Sequence, residues 1–104
     1  AEAARGTDPM PTLVLAVQDL DEALRLEPDD AGARLARAWA HLAFGVAYQA
    51  RSGLPGAAFG AAIADLRDAL AAGAVTRAQL ASDPRTQPIR DDPRAHDLRV
   101  RKGE

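Results

Sequence analysis

The segment Ala16-Val17-Gln18-Asp19-Leu20-Asp21-Glu22-Ala23-Leu24 returns, lightly edited, as Ala62-Ile63-Ala64-Asp65-Leu66-Arg67-Asp68-Ala69-Leu70. A recurring amphipathic helix marks a repeat architecture, because one such unit cannot bury its apolar face alone and must stack on the next. Stacked helices present an extended surface, which favours a binding or assembly module over an enzyme. With 104 residues and 47% apolar content, the chain has room for one small domain over residues 1–104 and no second one. Aromatics make up only 4% and alanine supplies much of the apolar share, so a core must come from closely approaching helices. The expected fold class is therefore all-α.

The net charge of −2 gives no electrostatic footprint for nucleic acid or an anionic membrane. The charge is unevenly spread, from a net −6 over residues 1–30 to a net +2 over residues 75–104, which allows a head-to-tail contact weakened by physiological salt. Absence of cysteine excludes a disulfide framework and a thiolate metal site. No apolar stretch approaches the roughly eighteen residues of a membrane span.

Start and stop signals divide the chain into helices. Asp8 caps a first helix over 8–27 with Pro9 and Pro11 in its opening turn, and Leu13, Ala16, Val17, Leu20, Ala23 and Leu24 fall on one stripe. Pro28-Asp29-Asp30 breaks it and caps a second helix over 31–52, about 30 Å long, which ends at Ser52-Gly53-Leu54-Pro55-Gly56. A third over 57–72 buries Phe59, Ala62, Ile63, Leu66, Ala69 and Leu70 and stops at Gly73. Short helices complete the chain over 76–101, capped by Thr76 and by Asp92-Pro93 and interrupted at Asp83-Pro84 and Pro88.

Ala16-x3-Leu20, Ala23 and Pro28 resemble the second helix of a tetratricopeptide repeat, with Leu in the aromatic slot. Continuing the register, Ala38 takes the family's small-residue position, His41 its usual Tyr position and Gly45 its turn glycine, and Arg37–Gly45 looks like a bacterial variant of the first helix. A second register reads Phe44-Gly45-Val46-Ala47-Tyr48 as the L-G-x2-Y element. The two copies of the signature lie 46 residues apart, about twelve more than the family period, so the resemblance implies an elongated central hairpin with both helices extended. Leu80–Pro84 and Pro88–Arg94 resemble the segment that closes bacterial arrays, although Ala95 and His96 stand where the family favours an aromatic and Ala74 replaces the repeat proline. The implied architecture is a tetratricopeptide-like fragment of α-α superhelix: antiparallel hairpin repeats with an elongated central hairpin and short C-terminal helices.

That family implies a non-catalytic module that binds a protein or peptide in its helical groove. Since the first helix matches a second-position helix, its usual antiparallel partner would precede Ala1, and its flank needs a cover. The long second helix, another copy in a homo-oligomer, or a different protein in a larger complex can each provide it. Arg34, Arg37, His41 and Gln49 share one face of the second helix, either as a recognition stripe for acidic groups or as a plain solvent face. The opposite face holds Trp39 and Val46, and the first register turns Leu35, Trp39 and Leu42 toward the ligand-bearing surface, with Tyr48 near the helix end. Trp39 is the residue type most enriched in interface hot spots, and core packing is its plainer role.

No catalytic constellation is visible. His41 and His96 are far apart, Ser52 and Ser82 sit at turns, and no glycine-rich phosphate loop follows a strand. Asp91, Asp92 and His96 read as helix capping before they read as metal ligands, and no cofactor or metal is implied. Arg94, Arg99, Arg101 and Lys102 are interleaved with Asp97 and Glu104 and lack stacking aromatics, so they form a solvated tail rather than a nucleic-acid site.

Overall fold

The computed structural model describes residues 9–54 and 56–100. Among them every regular element is helical: α1 (Met10–Leu26), α2 (Ala31–Ser52), α3 (Ala58–Ala71), α4 (Arg77–Ser82) and two 3-10 segments, Pro84–Ile89 and Pro93–Leu98.

The capping chemistry accounts for most boundaries. Asp8, the expected first cap, lies outside the described residues; α1 starts at Met10, two residues later than expected, with Pro9 in the capping position and no side-chain cap. Asp30 accepts from Ala33 N–H at 2.9 Å and starts α2. Thr76 and Gln79 form a reciprocal capping box at the head of α4, with bonds of 2.9 and 3.1 Å. Asp83 and Asp92 each accept from the backbone N–H two residues on, at 2.9 Å, and start the two 3-10 segments. Each neighbouring arginine, Arg85 or Arg94, folds back onto the same aspartate. The end of α3 needs Gly73 at φ +81, because its N–H bonds Leu70 carbonyl while Ala74 N–H reaches Ala69 carbonyl, the paired bonds of a Schellman stop.

The long spacing between repeats is not shared by two extended helices. α2 has 22 residues and α3 only 14, a difference of about 12 Å in length. The corner that follows Ser52 and the stop at Gly73 confine α3, and the extra length goes into α2.

α2 lies between its neighbours, packing against α1, α3 and the segment Pro84–Ile89. The core gathers Ala38 and Leu42 of α2, Phe59, Ala62, Ile63, Leu66 and Ala69 of α3, and Leu80, Ile89, Ala95 and Leu98 of the C-terminal part. Gly45 brings α2 onto α3: a Cβ there would lie 2.7 Å from the Phe59 ring. The closing segment is tied to α3 by Arg67, which pairs with Asp97 at 2.6 Å and donates to Arg94 carbonyl at 2.9 Å.

The two copies of the repeated segment meet different fates. Of the stripe expected on α1 only Leu24 is buried, whereas its counterpart on α3 is nearly all core. Asp19 is exposed while Asp65, at the matching position, is only 4% exposed. α1 meets α2 through the side that carries Asp21, which pairs with Arg37 at 2.8 Å. The matching side of α3, carrying Arg67, faces the closing segment instead.

Candidate functional site

Two apolar positions a turn apart on α1, Val14 and Val17, face His41, Phe44 and Tyr48 of α2, whose spacing puts them on one side of that helix. With the small residues Gly56, Ala57, Ala58 and Ala61 at the head of α3 they enclose a groove of about 390 Å³, within the usual size of a ligand pocket. Small side chains on the α3 wall keep it open. The rings of Phe44 and Tyr48 stack at 6.3 Å with 12° between planes, and Tyr48 lies so close to Gly56 that a Cβ there would sit 2.8 Å from the ring. The polar groups on the lining are Gln18, His41 and the Tyr48 hydroxyl.

Beneath the groove runs a charged network joining all three helices. Arg37 donates from Nε and Nη2 to the two oxygens of Asp65, both at 2.8 Å, and from Nη1 to Asp21 at 2.8 Å. Asp65, foremost, holds the Arg37 guanidinium still more firmly protonated than usual. His41 Nε2 lies 3.8 Å from Asp65 Oδ2. Burial pulls the His41 pKa below its ordinary value despite that carboxylate, with Arg37 adding to the downward push. The groove thus presents a neutral imidazole at neutral pH.

The structure disperses the nine residues singled out in the sequence. Arg37 is the clamp between the three helices, and Arg34 donates to Pro28 carbonyl at 2.8 Å and pairs with Asp68 at 3.4 Å. His41 and Tyr48 line the groove, Leu42 is core, and Gln49 and Val46 are exposed. Leu35 and Trp39 line a separate hollow with Val75, Gln79 and Asp83, where the Arg85 guanidinium sits 3.9 Å from the centre of the Trp39 ring. The arginine stripe is therefore engaged within the chain, and the apolar face of α2 is split between two sides.

Val14, Val17, Phe44 and the small residues opening α3 were not singled out as site residues by sequence reasoning. The signal available was the pair of aromatics at i, i+4 in α2 facing a run of Gly and Ala after the corner. Asp92 serves as a cap, and among the described residues no group of three His, Cys, Asp or Glu could hold a metal ion. No helix among the described residues is long and apolar enough to cross a membrane. Comparison with protein-family models, curated proteins and solved structures finds no match.

Proposed function

We propose that the chain is a non-catalytic, tetratricopeptide-like interaction module whose α1–α2–α3 groove takes an apolar segment of a partner protein. The observation that carries this reading is the groove itself: aliphatic and aromatic side chains are left accessible at a three-helix junction whose charges are spent on Arg37, Asp65 and Asp21 beneath it. An apolar peptide side chain gains by leaving water there, and Gln18, His41 and Tyr48 supply hydrogen bonds for its backbone. Peptides selected from a random displayed library on the full chain should carry apolar residues and should lose binding to Val14→Glu. That position is 39% exposed, so the variant should melt like the parent. Selected peptides that bind the variant as well as the parent would sink the proposal.

A second reading, as a structural subunit of an assembly, is favoured by the exposure of Leu15 at 60% and Leu26 at 65% on α1. A solution mass that rises with concentration supports it as a homo-oligomer, and a monomer at all concentrations restricts it to assembly with a different protein.

A further inference from the structure

The repeated segment provides its own template for what belongs on the free side of α1. In α3, Ala62, Asp65 and Ala69 lie on one face and are 0%, 4% and 0% exposed, because α2 covers them. The cover has a definite chemistry: Arg37 takes both oxygens of Asp65, Ala38 beside it is fully buried, and Gly45 lets α2 approach α3 at Phe59. In α1 the matching residues are Ala16, Asp19 and Ala23, flanked on the same face by Leu15 and Leu26. Asp19 is exposed and no ion pair reaches it among the described residues, and Ala16 and Ala23 are only half-buried. α2 does not supply the cover, since it meets α1 around the side of Asp21 and Leu24.

We infer that the Leu15–Asp19–Ala23–Leu26 face of α1 is a docking site for a helix of a partner protein with the chemistry of α2: an arginine opposite Asp19, with a small residue beside it and another about two turns further on, as Ala38 and Gly45 stand to Arg37. This rests on the assembly reading proposed for the chain. The occupant is specified by complementarity. A carboxylate between two alanines selects a bidentate guanidinium on a helix that can come close, and the flanking leucines supply the apolar area.

The test uses the intact chain and a synthetic peptide of residues 30–54 as the helix probe, followed by 15N chemical shifts and by sedimentation of the chain alone. Binding should shift Ala16, Asp19 and Ala23 and leave the α3 amides in place. Asp19→Asn in the chain, or Arg37→Gln in the peptide, should each weaken binding about tenfold, as loss of a charge-assisted pair does. Leu15→Glu should abolish it, and both chain positions are exposed, so neither variant threatens the fold. Shifts confined to α3, or equal binding by the Asn variant, overturn the inference. If the peptide fails to bind and yet the chain self-associates through Leu15, the helix partner is wrong and the assembly reading stands. No binding with a strictly monomeric chain overturns the inference and restricts the assembly reading to a different protein.

Discussion

Replacing Arg37 by Met keeps most of the aliphatic stem and removes the guanidinium. Asp65, whose side chain is 5% exposed, then loses both of its 2.8 Å donors and keeps only His41 Nε2 at 3.8 Å. Removing one member of a buried pair costs about 3–5 kcal/mol. The Arg37 side chain is 21% exposed and water reaches the pair, so the lower end, about 3 kcal/mol, applies here. Loss of the half-exposed Asp21 contact adds at most about 1 kcal/mol. Against a total stability of about 5–15 kcal/mol for a chain of this size, that is a large fraction. The assay is urea unfolding, monitored by far-UV circular dichroism and by the fluorescence of Trp39, the single tryptophan. Asp65→Leu in the Arg37→Met background removes the stranded charge and should restore most of the loss, to within about 1 kcal/mol of the parent. A loss below about 1 kcal/mol in the single variant, or a double variant as unstable as the sum of the two singles, would refute the reasoning.

Two further outcomes concern the same junction. Burial holds His41 below its ordinary 6.5, so the unfolded chain binds the proton more readily than the folded one; the stability contributed by neutral His41 is full above 6.5 and is lost as pH falls from there through the folded value. His41→Gln should therefore lose less of its urea midpoint than the parent between about pH 7.5 and about pH 5, and equal losses would show that His41 is not the group responsible. Gly45→Ala places a Cβ 2.7 Å from the buried Phe59 ring, so overpacking of about 1–3 kcal/mol outweighs a helix-propensity gain of about 1 kcal/mol. Gly32→Ala, whose Cβ would meet nothing closer than Asp30 Oδ1 at 3.4 Å, should be the more stable of the two in thermal melts, and the reverse order would argue against tight packing at Gly45.

Helix positions were legible because their signals are local. Asp30, Thr76, Asp83 and Asp92 cap the helical segments that begin after them, and Gly53 and Gly73 close those that end before them. The core stripe of α3 was legible from its 3.6-residue period, whereas the same period on α1 predicted burial that occurs fully only at Leu24. Periodicity shows which residues share a face, but a neighbouring helix decides whether that face is covered. The site was less legible for a related reason. Arg34 and Arg37 look solvent-facing in a helical projection, and it takes the placement of Asp65, Asp68 and Asp21 on other helices to turn them inward. The groove combines residues more than forty positions apart, Val14 and Ala58 among them, and nothing local joins them.

The placement of α2 also bears on how the chain comes apart. In an array of repeats each hairpin owns its two helices, so the ends can fray while the middle holds. Here α1, α3 and the first closing segment are all laid against one central rod. The boundary between copies runs along α2 instead of between hairpins, and a break in that helix strips cover from both flanks together. Partial opening should begin at α1, of whose expected stripe only Leu24 is buried, while α2 and α3, which share the core, should open last.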